Sequence, residues 1–116
     1  MMDIQGLAYI VAESTNLSAW ATYAQGVLGM SCSEAPGGGL YIKMDERQYR
    51  FLVVPGQRDG YVASGWEVLD QGAFEAALQT LAAAGCAVEQ ADPALCAQRR
   101  VMGLASFSDP SGNRHE

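Results

Sequence analysis

Histidine and cysteine, which bind transition metals and take part in proton transfer or nucleophilic catalysis near neutral pH, are scarce in this chain. The chain has one histidine, His115, which directly precedes Glu116. Adjacent residues of a regular strand point to opposite faces, so these two side chains could not chelate one ion together. A single histidine also lacks the spacing to further ligands that metal motifs require. We therefore expect His115 to be a surface or tail residue.

The three cysteines, Cys32, Cys86 and Cys96, are the other candidates for chemistry. A nucleophilic thiol needs a base beside it, and the one histidine lies in the tail. The odd number of cysteines and the absence of a C-x-x-C spacing disfavour a disulfide framework and fit a reducing cytoplasm. We expect Cys32 and Cys86 to be small core residues at strand starts, and Cys96 to lie in a loop.

Two short motifs could bind an anion. The glycine-rich run at 36–39 lacks the G-x-x-x-x-G-K-[ST] pattern of a phosphate loop, and no predicted helix follows it, so it indicates a hairpin connection. Arg99 and Arg100 form the one basic pair. They could recognise an anion, but an isolated pair is more typical of residues that flank a strand and pair with nearby acids.

The bulk properties restrict the class of protein. A chain of 116 residues has the size of one domain, so we expect a single domain over residues 1–116. Its net charge of −6 is a poor match for nucleic acid or an anionic membrane. We expect neither partner. The start has no basic region and no long apolar stretch, so neither a signal peptide nor a membrane span is predicted.

The hydrophobic pattern of the first half predicts a strand, a helix and three more strands. An apolar run rich in strand formers covers residues 4–12, and Asn16 is the best placed of three possible helix caps. Apolar residues then recur at helical spacing until Gly29, which can adopt the left-handed conformation that ends helices. Three further apolar segments are typical of short strands: 30–34, 40–44 and 47–54.

The same order starts again in the second half. A strand precedes Asp70, which can cap a second helix that ends at Gly85. Short strands are then predicted at 86–90 and 101–107, with an irregular segment at 91–100 between them. The two glycines lie 85 − 29 = 56 residues apart. A repeat of this size indicates two modules, 4–56 and 60–116, that pair around a shared core in an α+β fold. A strand–helix pair could also recur by chance.

The motifs resemble those of a known superfamily. The run from Asp109 to Glu116 resembles the D-P-x-G-N-x-x-E signature of the vicinal oxygen chelate superfamily. The run from Arg99 to Pro110 resembles R-R-x-x-G-L-x-x-F-x-D-P, found in the first domain of the 2,3-dihydroxybiphenyl 1,2-dioxygenases. Further likenesses cover nearly the whole chain: Leu7-Ala8-Tyr9, Trp20, Val27-Leu28-Gly29-Met30 and Gly65-Trp66-Glu67-Val68. The resemblance implies an open, incomplete β-barrel of two βαβββ modules with its helices outside.

The resemblance also implies where the chemistry lies. Subunits of these extradiol dioxygenases have two such domains, and only the second holds Fe(II), through two histidines and one glutamate. In this chain the ligand positions carry Tyr9, Ala63 and Glu116, of which only Glu116 matches. We therefore expect no catalytic, cofactor-binding or metal-binding residue here, and no activity of this chain alone. The implied partners are its own carboxyl-terminal domain and further copies in a homo-oligomer.

Two rival functions stay open at this point. One is a stand-alone two-module protein of the bleomycin-resistance type that binds a small molecule. The other, weaker one is a glyoxalase-type metal enzyme whose site forms across a dimer. The chain stops where the resemblance continues a strand. We therefore expect a truncated last strand, with either self-association through the exposed edge or a frayed end.

Overall fold

A computed structural model describes residues 2–116. It contains eight strands and three helices, which confirms the α+β class. The strands are β1 (Ile4–Ser14), β2 (Ser31–Ala35), β3 (Gly39–Lys43), β4 (Phe51–Pro55), β5 (Gly60–Val68), β6 (Glu89–Gln90), β7 (Ala105–Ser108) and β8 (Arg114–His115). The helices are α1 (Leu17–Gly26), α2 (Gln71–Ala83) and α3 (Pro93–Arg99). Each half has the predicted order of strand, helix and three strands, and α3 is an addition to the second.

The chain forms two compact units, one of residues 9–63 and one of residues 64–116 with the residues up to Ala8. In the unit of residues 9–63 the strand order is β2-β3-β4-β1. Strands β1 and β4 run parallel, with Val11 opposite Leu52, whereas β2, β3 and β4 are antiparallel neighbours. The approximate twofold relation of modules 4–56 and 60–116 stays a prediction.

Helix α1 covers one face of the sheet in the first unit. Its buried Ala24 packs with Ile42 of β3 and Val53 of β4. Further side chains pack against this cluster, among them Cys32, which was expected in the core: Leu17, Trp20, Met30, Cys32, Leu40 and Phe51. Alternation along β4 turns the fully buried Leu52 to the opposite face. The unit is thus buried on both faces of its central strands.

The predicted helix caps are confirmed. The Asn16 side chain accepts a hydrogen bond from the N–H of Ala19 (3.1 Å), and Asp70 accepts one from Ala73 (2.8 Å). These bonds satisfy N–H groups that the first helical turn leaves without partners. Gly29 and Gly85 both have the left-handed φ expected of them, although the helices end a few residues earlier, at Gly26 and Ala83.

Strand β4 begins later than the sequence predicts. Residues 47–50 were expected to belong to it, but the strand starts at Phe51. The Asp45 carboxylate accepts hydrogen bonds from the Arg47 N–H (3.0 Å) and from Arg50 Nε (2.8 Å), and so holds this segment in a turn. The glycine-rich run is a short 3₁₀ turn, Pro36–Gly38, between β2 and β3, as the hairpin interpretation requires.

The second unit has the strand order β5-β8-β7-β6, and two of its strands are shorter than predicted. The strand expected at 86–90 is limited to Glu89–Gln90, and the one expected at 101–107 to Ala105–Ser108. Consequently Cys86 does not start a strand. No helix among residues 2–116 is long and apolar enough to cross a membrane.

Helix α3 contradicts the prediction of an irregular segment at 91–100. The Asp92 side chain accepts from the N–H of Leu95 (2.9 Å), and Pro93 occupies the first helical turn. Proline there removes only an N–H that a helix leaves unpaired, and its fixed φ suits the helix. Pro93 would break the interior of a helix, but directly after the N-cap Asp92 it starts one. Cys96 therefore lies in a helix and not in a loop.

Candidate functional site

Tyr9 and Ala63, at two of the three ligand positions that the resemblance implies, are core residues of the first unit. The ring of Tyr9 lies 5.5 Å from that of Tyr49, whose ring is 4.7 Å from Tyr41. All three tyrosines are buried, and Ala63 is fully buried. A methyl group cannot ligate a metal. At these two positions the side chains pack in the core, and neither has the imidazole nitrogen that a histidine ligand would offer to a metal.

Glu116, at the third position, is the best-defined polar site of the second unit. Its side chain is fully buried, and Arg99 binds both carboxylate oxygens, through Nε to Oε1 (2.8 Å) and through a terminal nitrogen to Oε2 (3.1 Å). Arg114 Nε donates a further bond to Oε2 (3.0 Å). The two-pronged contact matches guanidinium geometry and forms a strong kind of hydrogen bond. Two guanidinium groups thus neutralise the carboxylate.

The backbone fixes the position of Glu116 as firmly as the side chain does. Its N–H donates to Ser64 O and its C=O accepts from Trp66 N, both at 2.8 Å. This pattern pairs Glu116 in parallel with Gly65 of β5. Strand β8 also pairs with β7, where His115 lies opposite Phe107. The expectation of a frayed end does not fit these bonds.

The end of helix α3 brings the Arg99 side chain to Glu116. Arg99 is the last residue of α3, and Arg100 follows it in the left-handed conformation. Arg99 is buried, and its guanidinium also contacts the Gln98 side-chain oxygen. The expectation that the Arg99–Arg100 motif pairs with an acid is therefore confirmed for Arg99. The pair is buried, however, and Arg99 belongs to a helix and does not flank a strand. Because the sequence did not predict a helix at 93–99, it could not predict that Arg99 lies in the interior beside Glu116.

His115 is not the surface or tail residue that the sequence predicts. Its side chain is mostly buried, and Nε2 lies 2.9 Å from Asp109 Oδ2. Trp66 Nε1 lies 3.0 Å from Nδ1, and the Phe107 ring stacks on the imidazole at 5.5 Å. Indole Nε1 can only donate, so Nδ1 accepts and Nε2 carries the proton given to Asp109. With both nitrogens engaged, His115 has no free nitrogen for general base catalysis.

Asp109 organises the turn before β8. Its carboxylate accepts from His115, from the N–H groups of Ser111 and Asn113, and from the Asn113 side chain. These bonds, the His115 bond first, lower the pKa of Asp109 to about 2, against an opposing effect of desolvation. The D-P-x-G-N signature thus has a structural role, because its aspartate binds the loop and the histidine together.

The donor set at the three family positions does not fit a ferrous ion. It would consist of a phenol packed among tyrosines, a methyl group and a carboxylate already bound by two guanidinium groups. Within residues 2–116, no three or more His, Cys, Asp or Glu side chains are grouped to hold a metal ion. The three cysteines are free and partly buried, and burial raises the pKa of the Cys32 thiol, which disfavours a reactive thiolate.

The sequence is similar to that of several ring-cleaving dioxygenases. Residues 7–56 match a family model described as Dihydroxybiphenyl dioxygenase BphC D1. The whole chain is 38% identical to a biphenyl-2,3-diol 1,2-dioxygenase of Sphingomonas paucimobilis and covers 39% of that protein. It is also 38% identical, over 99% of its length, to an iron-dependent extradiol dioxygenase of Rhodococcus jostii (strain RHA1), again covering 39%. The chain thus spans about 39% of the length of these curated relatives.

Solved structures give the same result for the fold. A crystal structure of BphC, a halotolerant catechol dioxygenase, superposes with a TM-score of 0.90 over 99% of this chain, at 28% sequence identity. A catechol 2,3-dioxygenase superposes with a TM-score of 0.91 over 97% of the chain, at 31% identity. The chain covers 39% and 40% of these two structures. Their fold confirms the vicinal oxygen chelate type expected from the motifs.

The Arg99–Glu116 pair yields a stability prediction. Replacing Arg99 by Met would leave the buried carboxylate with Arg114 alone, so we expect the free energy of unfolding to fall by about 3–5 kcal/mol. The matched control is Arg58→Met, because the Arg58 side chain is 82% exposed and lies 3.9 Å from Glu13. That change should cost less than about 0.5 kcal/mol. Urea denaturation measures both values, and equal losses would contradict a structural role for the buried pair.

The Asp109–His115 contact yields a pH prediction. A lowered pKa in the folded state stabilises the fold fully above the ordinary value of 3.8, and this contribution is lost as the pH falls towards about 2. His115→Phe removes the largest cause of the shift, so the Asp109 pKa should rise towards 3.8; the contribution to stability should then be smaller, and its loss should be complete at a higher pH. Carboxyl carbon NMR titration of both proteins measures this, and an unchanged Asp109 pKa would contradict it.

The sequence comparison and the fold comparison point to the same group of similar proteins. The similar proteins are dioxygenases, the family model matches residues 7–56, and the solved structures match nearly the whole chain. The motifs around Arg99–Pro110 and Asp109–Glu116 resemble the same group of proteins. Over nearly its whole length the chain is thus similar, in sequence and in fold, to a part of about 39% of the length of extradiol dioxygenases.

Proposed function

We propose that this chain is the non-catalytic amino-terminal domain of an extradiol dioxygenase that opens 2,3-dihydroxybiphenyl-like catechols in aromatic degradation. The similarity to relatives named biphenyl-2,3-diol 1,2-dioxygenase supports the reaction and the substrate class. Related names include 1,2-dihydroxynaphthalene dioxygenase and 3-methylcatechol 2,3-dioxygenase, so the shared feature is a ring with adjacent hydroxyls.

The single observation that carries the non-catalytic assignment is the state of Glu116. A metal cation bound to Glu116 would lie beside the guanidinium groups of Arg99 and Arg114, which bind both carboxylate oxygens, and these like charges would repel it. Detaching Arg99 would leave a buried guanidinium without its partner, which is energetically costly. Glu116 therefore serves the fold and not the reaction. We derive no step of ring cleavage through residues of this chain.

The iron chemistry belongs, in this proposal, to a second domain. Fe(II) held by two histidines and a glutamate would there supply open coordination positions for the catechol and for oxygen. The share of about 39% that the chain covers in its relatives leaves room for such a domain. The chain would then support the fold and the subunit assembly, with its own carboxyl-terminal domain and further copies as partners. The acidic charge and three free cysteines fit a cytoplasmic protein.

This proposal predicts a sharp difference in activity. The purified chain with added Fe(II) under reducing conditions should form no yellow ring-opened product from 2,3-dihydroxybiphenyl, above a control without protein. We expect the reading frame to continue past Glu116 into a module with two histidines and a glutamate, and the product of that complete frame should form the yellow compound. Product from the chain alone would overturn the non-catalytic assignment. An inactive complete protein would overturn the ring-cleavage assignment.

A further inference from the structure

Trp66, His115 and Asp109 form a chain of hydrogen bonds in the second unit that takes no part in the proposed function. Trp66 Nε1 lies 3.0 Å from His115 Nδ1, and His115 Nε2 lies 2.9 Å from Asp109 Oδ2. An indole N–H can only donate, and an ionised carboxylate can only accept. The imidazole therefore accepts at Nδ1 and donates at Nε2, so it is neutral in this arrangement.

A second proton on the imidazole is compatible with only one of these two contacts. In an imidazolium both ring nitrogens carry a hydrogen and donate. The contact with Asp109 then joins opposite charges and becomes stronger, because charge-assisted hydrogen bonds are the stronger kind. At Nδ1, however, two N–H groups would face each other across 3.0 Å, so the hydrogen bond from Trp66 is lost.

Trp66 is the partner whose side chain can move away. It is 40% exposed, whereas the His115 side chain is 19% exposed and is held by Asp109 and by the stacked Phe107 ring. The Trp66 backbone N–H donates to Glu116 O at 2.8 Å. Rotation of the indole about its side-chain bonds therefore separates the two nitrogens and leaves the ladder between β5 and β8 intact.

Asp109 supplies the charge that holds a protonated imidazole in place. Its pKa is lowered to about 2, first by the His115 bond and next by the Asn113 N–H, so it stays ionised in the range in which histidine side chains change their charge.

The charged residues of the adjoining elements face elsewhere. Glu67 of β5 follows Trp66 and lies on the opposite face of the strand. Arg114 and Glu116 bind each other on the face of β8 opposite to His115. Glu75 of α2 is exposed and accepts a hydrogen bond from Gln71. The local response to a proton on His115 therefore depends on Asp109 and Trp66.

We propose that protonation of His115 releases the Trp66 indole, so that the two side chains act as a pH-sensitive switch on the second unit. While the imidazole is neutral, the indole is bound to β8. Once the imidazole is charged, the indole turns into solvent and the imidazole stays with Asp109. The switch changes the exposed surface beside β5 without unfolding the strands. It involves no step of ring cleavage, so it can fail or hold independently of the proposed function.

An NMR titration of the unmodified chain tests the switch directly. The two tryptophans, Trp20 and Trp66, each give one indole N–H signal, and nuclear Overhauser contacts with the backbone of β5 identify that of Trp66. We expect the contacts between this indole hydrogen and the imidazole ring to disappear with the same midpoint as the protonation of His115. Trp20, which packs against the core of the first unit, should keep its contacts. Contacts between Trp66 and His115 that persist after the imidazole is protonated would overturn the proposal.

Thermodynamic linkage gives a second test. The bond from Trp66 stabilises the neutral imidazole, so Trp66→Phe should raise the proton affinity of His115 about threefold to tenfold, the effect of one hydrogen bond. Phe107→Leu is the matched control, because it also removes a ring packed on the imidazole but no hydrogen bond. It should not raise the proton affinity.

The ring signals of His115 report the proton affinity in each variant, and circular dichroism checks that both variants are folded. A proton affinity that does not rise in Trp66→Phe would overturn the proposal. An equal rise in Phe107→Leu would do the same, because it would show that access of solvent to the imidazole, and not the hydrogen bond, sets the change.

Discussion

The ion pair between Arg99 and Glu116 is the constraint on which the second unit depends. A carboxylate this deeply buried must be neutralised and hydrogen-bonded, and Arg99 provides both with two parallel bonds. The pair joins the end of α3 to β8, while the Glu116 backbone joins β8 to β5. One residue therefore connects a helix, its own strand and the neighbouring strand. The guanidinium groups that form these bonds would also repel a metal cation at the carboxylate.

The side chains at the other two implied ligand positions, Tyr9 and Ala63, also disfavour metal binding. Tyr9 contributes an aromatic ring to a cluster of tyrosines, and Ala63 contributes a buried methyl group. Both stabilise a core, and neither has the imidazole nitrogen that Fe(II) chemistry uses. The same strand framework can thus serve as a catalytic domain or as a structural one, according to which side chains occupy these positions.

Local signals in the sequence predict much of this fold, and contacts distant along the chain account for the errors. Asn16, Asp70, Gly29 and Gly85 act within a few residues of their own position, so their roles are predictable. The environments of Arg99 and His115 depend on partners 17 and 49 residues away, Glu116 and Trp66. No spacing rule reveals such pairs. The missed α3 is different, because Asp92-Pro93 is a local signal for a helix start.

The central claim is that Glu116 is a structural carboxylate and not a metal ligand, and metal retention tests it most directly. The chain would be loaded with Fe(II) without oxygen, dialysed and analysed for iron, alongside Glu116→Gln. We predict that neither protein retains iron, because Arg99 already satisfies the carboxylate. Retention of about one equivalent of iron by the unmodified chain, lost in Glu116→Gln, would contradict the account.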